Sequence, residues 1–274
     1  EGSRVRYLEL FPERPNLLAR IDNGIGSVQM ITYGTAVEHQ ARERALGRPW
    51  TKSLQIPMAV VDQTDVFVTL TGDDPNLHDL VEYSYRDGFY DGIEKQYRGF
   101  RTVVQRQVGD ADQQEGSTVM EYDVGDTDTY FNGLLMSSSL STGDLPIRTD
   151  STTYQDCPLE DVPAPSALEA AGRKAVRYVC KTQETNLLQE GAAQAEWKTL
   201  QTNYEYDGYG NVIKNEALGE VEVQGDEMVT ETTFALPTNI WHLRLPVHEK
   251  MYVNASGDQK EKWSYYDGDD FRGE

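Results

Sequence analysis

The sequence predicts a mainly β chain, built from antiparallel strand–turn–strand units with one short helix. Three observations predict it. Short alternating or β-branched runs recur along the 274 residues, Gly-containing turns separate them, and helix-forming stretches are scarce. Taken in order, the expected strands are Ser27–Tyr33, Val60–Thr71, Leu80–Tyr85, Gly99–Gln107, Ala175–Thr185, Trp197–Tyr206, Met228–Phe234, Val247–Val253 and Lys260–Tyr266. The reversals are expected at Asp22-Asn23-Gly24, Asp87-Gly88, Asp91-Gly92, Asn132-Gly133, Thr142-Gly143-Asp144, Asp207-Gly208, Gln224-Gly225-Asp226, Ser256-Gly257-Asp258 and Asp267-Gly268. Gly, Asn and Asp supply the positive φ that tight hairpins need.

The helix is marked by Thr35-Ala36-Val37-Glu38, a capping box; helix formers continue to Leu46, where Gly47 and Pro49 stop them. A weaker helix over Ser166–Arg173 follows the proline-rich loop Asp161–Pro165. Strand alternation places Leu200, Thr202, Tyr204 and Tyr206 on one face, and Val176, Tyr178 and Cys180 on another.

The 46 acidic against 25 basic residues give a formal charge of −21, which excludes a protein that grips nucleic-acid phosphates. Sixteen Tyr and 23 Gly separate the chain from a disordered acidic tail. No apolar run approaches the roughly 20 residues that cross a bilayer, so direct membrane insertion is not expected. The chain opens with Glu-Gly-Ser and shows no signal-peptide pattern, so it reads as a piece of a longer polypeptide.

Candidate chemistry is thin. Cys157 and Cys180 are too few for a disulfide framework; Cys180 reads as a small buried hydrophobe, and whether the two pair stays open. His39, His78, His242 and His248 are scattered and make no zinc motif. Ser137-Ser138-Ser139 lacks a nucleophile elbow and reads as a polar strand or loop. Asn23-Gly24-Ile25-Gly26 and Gly208-Tyr209-Gly210 read as turns, since the third glycine and the helix of a dinucleotide site are missing. Adjacent acids such as Asp73-Asp74 and Asp269-Asp270 define no acid–base pair. Asp123-Val124-Gly125-Asp126-Thr127-Asp128 departs from a calcium loop and reads as a turn. Trp50, Trp197, Trp241 and Trp263 read as core rather than a sugar-binding face. Catalytic, metal and cofactor sites are therefore expected to be none.

One segment carries a repeat. Thr202-Asn203-Tyr204-Glu205-Tyr206-Asp207-Gly208-Tyr209-Gly210-Asn211-Val212 resembles a YD repeat of the RHS family, Tyr-x-Tyr-Asp followed by x-x-Gly-Asn. Tyr204 and Tyr206, two apart, stack on one face, while Asp207, Gly208, Gly210 and Asn211 make the reversal. Tyr266-Asp267-Gly268 begins a second copy, and Tyr83-Ser84-Tyr85-Arg86-Asp87-Gly88 is a looser third. Such uneven spacing suits a spiralling β shell.

Arg14-Pro15-Asn16-Leu17-Leu18, Ile21-Asp22-Asn23-Gly24-Ile25-Gly26, Gly47-Arg48-Pro49-Trp50, Gly88-Phe89-Tyr90-Asp91-Gly92, Tyr97-Arg98-Gly99-Phe100 and Tyr130-Phe131-Asn132-Gly133-Leu134-Leu135 extend the likeness. This series resembles the region after the β-propeller in B components of Tc insecticidal toxin complexes and in related SpvB-like proteins. The resemblance implies a division into a post-propeller start of the shell at 1–142 and an RHS/YD-repeat shell segment at 143–274. It also implies a structural, non-enzymatic wall that encloses a cytotoxic effector. Arg48-Pro49-Trp50 and Tyr97-Arg98-Gly99-Phe100 then serve as wall-packing motifs. The implied partners are the rest of the B-component shell and propeller, the C component with its effector, and the pore-forming A component through the propeller, in a secreted, extracellular complex. The competing reading is a cell-surface adhesion or carbohydrate-binding β module. A wall segment should also show unpaired edge strands near Glu1 and Glu274, and be partly open or prone to associate.

Overall fold

A computed structural model describes residues 16–54, 56–68, 77–110, 113–160, 167, 170, 172, 176–235, 244–253 and 257–266. Among the described residues it is one antiparallel sheet with one α-helix, α1 (Ala36–Ala45), described along its whole length. The strands are β1 (Arg20–Asp22), β2 (Ser27–Thr35), β3 (Ala59–Val68), β4 (Leu77–Asp91), β5 (Gln96–Gln107), β6 (Gly116–Tyr122) and β7 (Leu135–Thr142). They continue as β8 (Leu145–Cys157), β9 (Tyr178–Leu188), β10 (Lys198–Tyr206), β11 (Val212–Glu220), β12 (Met228–Ala235), β13 (Leu245–Val253) and β14 (Gln259–Trp263). Their spatial order is their sequence order, from β1 at one edge to β14 at the other. The expected mainly β class, with one short helix in an open partial shell, holds.

Helix α1 (Ala36–Ala45) forms where the capping box stands. Thr35 Oγ1 accepts from the Glu38 N–H at 3.2 Å, and Glu38 Oε2 accepts from the Thr35 N–H at 2.6 Å. Gly47, at φ +77°, lets the chain leave the helix. Among the described residues, the buried apolar side chains that cluster are Ala36, Trp50 and Leu54, with Met58, Tyr97 and Phe100 packed against them. The Trp50 and Phe100 rings meet edge-on at 5.9 Å, and Tyr97 meets Phe100 at 5.6 Å. Both motifs named as wall-packing thus meet in one core.

The buried face of α1 is otherwise polar, carrying His39, Gln40 and Glu43. His39 Nε2 lies 2.9 Å from Asp62 Oδ1, and Glu43 faces Arg48 at 3.0 Å and Arg86 at 3.4 Å. Elsewhere the strands are mostly half-buried on both faces, and one helix cannot cover fourteen strands. Both described edges are charged: β1 reads Arg-Ile-Asp, and exposed β14 reads Gln-Lys-Glu-Lys-Trp. Charged edges of this kind discourage uncontrolled strand addition.

Several expectations are corrected. Asp87-Gly88 is no turn: β4 runs through it, with Asp87 at φ 51° and Gly88 opposite Phe100. The loose third repeat at Tyr83–Gly88 therefore makes no reversal. Cys180 is not a free hydrophobe. It is disulfide-bonded to Cys157 across the β8–β9 pair, with Cα atoms 5.9 Å apart. Five strands went unforeseen, β1, β6, β7, β8 and β11. The helix expected at Ser166–Arg173 lies largely outside the described residues, while Asp73-Asp74, Trp241, His242, Asp267-Gly268 and Asp269-Asp270 lie wholly outside them.

Candidate functional site

The turn after β10 gives each predicted motif residue a physical task. The Asp207 carboxylate accepts at Oδ1 from the Tyr209 and Asn211 N–H groups, both at 2.9 Å, and at Oδ2 from Asn211 Nδ2 at 2.8 Å. The backbone closes the same loop, Asp207 N–H donating to Asn211 O at 3.0 Å and Gly210 N–H to Asp207 O at 3.2 Å. Gly210 sits at φ +82°, where an L side chain is strained. Gly208 is needed for a different reason. A Cβ there would stand 2.7 Å from Glu160 N, because the Glu160 N–H donates to Gly208 O at 2.8 Å.

Tyr204 and Tyr206 act on β9. The Tyr204 hydroxyl donates to Glu184 Oε2 at 2.7 Å, and Lys181 Nζ lies 2.6 Å from Glu184 Oε1 and 4.5 Å from the Tyr204 ring centre. One extra residue in β9, Thr182, is bulged between the pairs Thr153–Gln183 and Tyr154–Lys181, which brings Lys181 and Glu184 onto one face. Burial works against charge on both, yet their mutual hydrogen bond and that from Tyr204 hold the Glu184 carboxyl below its ordinary range and lift Lys181 above its own. Burial, followed by the Glu184 hydrogen bond, pushes the Tyr204 phenol up. Tyr206 meets Tyr178 edge-on at 6.4 Å and donates its hydroxyl to Lys181 O at 2.8 Å.

That last bond recurs. Tyr33 donates to Leu18 O at 3.0 Å, Tyr85 to Val61 O at 2.9 Å, Tyr154 to Leu135 O at 3.2 Å, and Tyr266 to Pro246 O at 2.9 Å. Each of these tyrosines lies on or just beyond an even-numbered strand and reaches back towards the odd-numbered strand before it. The geometry is fixed by counting. The last ladder pairs of these seams are Arg20–Met30, Gln63–Glu82, Ser137–Ser151, Gln183–Asn203 and His248–Trp263. In all five the donor tyrosine stands three residues beyond the last partner, and the acceptor carbonyl two residues before the other. A bulge in the odd strand accounts for four of the acceptors: Asp62, Met136, Thr182 and Val247 are the extra residues, directly after Val61, Leu135, Lys181 and Pro246. The tyrosine thus satisfies a carbonyl where the strands have begun to splay.

Sequence reasoning singled out Tyr204, Tyr206 and Tyr266 but not the equivalent Tyr33 and Tyr154, whose neighbours carry no Asp-Gly turn. It also missed a clasp at the base of the 158–177 connection. Arg177 reaches Asp156 at 2.7 Å and Asp128 at 2.6 Å, and its guanidinium stands 5.0 Å from the Tyr130 ring centre. The Arg177 hydrogen bond holds the Asp128 carboxyl below its usual range. The aspartates of the 123–128 segment serve the protein itself: Asp123 Oδ1 accepts from Gly125 N–H at 2.7 Å, and Asp126 pairs with Arg101 at 2.9 Å. Among the described residues no cluster of three His, Cys, Asp or Glu side chains is placed to hold a metal ion. Trp50 is core, whereas Trp263 is about half exposed and stacks on His248 at 3.9 Å.

The class defined by this geometry is a repeat-built antiparallel wall, with repeats marked by bulges and bridging tyrosines. Residues 9–129 match the family model described as the insecticide toxin TcdB middle/N-terminal region. The fold is found in crystal structures of TcdB2-TccC3, with 16% identity, a TM-score of 0.66, and coverage of 86% of this chain and 15% of that one. TcdB2-TccC3-TEV gives 15% identity, TM-score 0.66 and coverage of 87% and 15%; TcdB2-TccC3-Cdc42 gives 14%, 0.66, 86% and 15%. No curated protein is matched. Over residues 9–129 the chain is similar to the TcdB middle/N-terminal region, and it shares the fold of the TcdB2-TccC3 structures while spanning about one seventh of those solved chains.

Proposed function

We propose that the chain is a segment of the wall of a Tc-type toxin shell, with a structural and non-enzymatic role. The observation that carries this reading is the strictly sequential order of the described strands, from β1 at one described edge to β14 at the other. A closed domain would wrap those strands around one core; here both faces stay largely half-exposed, as in a wall whose surroundings are supplied by more of the same sheet. In this reading the wall encloses a cytotoxic C-terminal effector carried by the C component. It keeps that effector from solvent and proteases until a pore-forming A component takes it up through the propeller.

The chain divides at the β7–β8 turn into a shell-opening segment, 1–142, and a repeat segment, 143–274. Tyr204, Tyr206, Asp207, Gly208, Gly210 and Asn211 form the repeat motif of the second part, and Tyr266, Asp267 and Gly268 begin its next copy. The complex acts outside the producing cell; among the described residues no helix is long and apolar enough to cross a membrane.

Electron microscopy of the full-length parent with its C component tests the proposal. A hollow particle with density inside is the expected image. A compact particle without a lumen, together with saturable binding of this chain to a glycan array, would replace the shell with the adhesion reading.

A further inference from the structure

The counting rule for the bridging tyrosines has an exception with consequences. Between β11 and β12 the last ladder pair is Lys214–Glu231. Three residues beyond Glu231 is Phe234, and two before Lys214 is Val212. Phenylalanine has no hydroxyl, so this seam lacks the bond that closes the splayed end of five others.

The seam is short as well. Four pairs, Lys214–Glu231 to Ala217–Met228, join β11 to β12, against six for each of β3–β4, β5–β6, β7–β8 and β9–β10. The cause lies in β11, which follows β10 at both ends. Its pairing with β10 carries one extra residue at Ile213 and another between Ala217 and Glu220, so the ends of β11 turn away from β12. At the far end Asp226 Oδ2 accepts from the Glu220 N–H at 2.9 Å and Gly219 takes φ +61°, which fixes that departure.

Side chains do not make up the deficit. Among the described residues, no side-chain hydrogen bond or ion pair joins β11 to β12, and Lys214 turns instead to Glu205 at 3.2 Å. The β5–β6 seam also has a non-tyrosine, Val124, at the counted position. It keeps six pairs, a Thr102–Glu121 hydrogen bond at 3.2 Å and an Arg106–Glu115 ion pair at 2.7 Å.

We propose that the β11–β12 seam is the line along which this wall parts, the strands up to β11 moving as one panel and those from β12 as the next. Apart from the three-pair seam of the short strand β1, opening costs the fewest backbone bonds there, and both new edges are already splayed at the Val212–Phe234 end. In a sheet without a continuous core beneath it, a defined weak seam lets the wall bend or open without unravelling elsewhere. Only the use of such an opening rests on the shell reading; the seam stands on ladder length and the missing hydroxyl.

Amide hydrogen exchange on the chain, or on its full-length parent, tests this. Residues 214–217 and 228–231 are expected to exchange at least roughly tenfold faster than the paired residues of β3–β4 and β9–β10. Phe234→Tyr should slow exchange at this seam roughly fivefold, the size of one added hydrogen bond, and leave β3–β4 unchanged. An Asn215→Cys/Thr230→Cys pair, directly opposite in the ladder, should abolish the fast exchange when oxidised and restore it when reduced. Exchange at this seam no faster than at β9–β10 in the unaltered chain overturns the proposal, whatever the variants do. So does a Phe234→Tyr variant that slows every strand equally or none. None of these readings depends on whether the parent forms a hollow particle.

Discussion

The Glu160 N–H donates to the carbonyl of Gly208 at 2.8 Å, joining the segment that leaves β8 to the turn between β10 and β11. The contact depends on a missing side chain, since a Cβ on Gly208 would stand 2.7 Å from that nitrogen. Gly208→Ala is therefore expected to cost about 1–3 kcal/mol through overpacking against backbone that cannot yield. Gly210→Ala should cost about 1–2 kcal/mol by another route, left-handed strain at φ +82°. Thermal unfolding measures both losses. Only Gly208→Ala should also shift the Glu160 amide resonance, and equal shifts from both variants would contradict the division of roles.

Removing the hydroxyl in Tyr206→Phe leaves the Lys181 carbonyl without its 2.8 Å donor while the edge-on contact with Tyr178 stays. A loss of about 1 kcal/mol is expected in denaturant unfolding, with faster amide exchange confined to the β9–β10 end. Tyr33→Phe and Tyr154→Phe should behave alike, since their hydroxyls hold equivalent places. A silent Tyr206→Phe would remove the bridging role.

Acidification should loosen helix α1. Burial is the chief cause that depresses His39; Asp62 opposes it and Arg42 adds to it. A depressed histidine contributes stability that is complete above its ordinary pKa of 6.5 and is lost as pH falls from there towards its folded value. Fluorescence of Trp50, which packs in the core beside α1, should change between about pH 7 and 5, and His39→Gln should flatten that change. An unaltered profile in the variant would assign the transition to another group.

Reduction of the Cys157–Cys180 disulfide should lower stability by about 3 kcal/mol, given the sequence separation of 23 between the cysteines. The Arg177 clasp on Asp128 and Asp156 remains, so the loss should add to that of Arg177→Ala rather than replace it. Denaturant midpoints with and without a phosphine reductant, in both backgrounds, give the comparison.

Legibility in the sequence followed side-chain chemistry. Strands such as β3 and β13 announce themselves through β-branched and aromatic runs, and the Thr35–Glu38 box marks helix α1. The strands β7 and β8 do not, because Ser137, Ser139, Thr149 and Ser151 alternate one polar residue with another and leave no apolar period. Asp87-Gly88 misled because its dipeptide favours a turn, whereas pairing with β5 on either side holds the strand through a positive φ. The turn residues from Asp207 to Asn211 were legible because one short loop uses them all. The disulfide and the tyrosine series were not. Their partners lie on neighbouring strands, and the loops between carry different lengths, so the repeat keeps phase with the ladder and not with residue number.

Because each strand pairs only with the strands before and after it in the chain, the molecule is close to a one-dimensional lattice of coupled hairpins. Most of its pairings close over short loops, the β2–β3 and β8–β9 connections being the longest, so assembly proceeds by adding hairpins to a growing end, in step with synthesis from the ribosome. Duplication of one hairpin in the gene lengthens such a lattice without rewiring any other contact. Size in this architecture is consequently a quantity that evolution adjusts in units of about two strands.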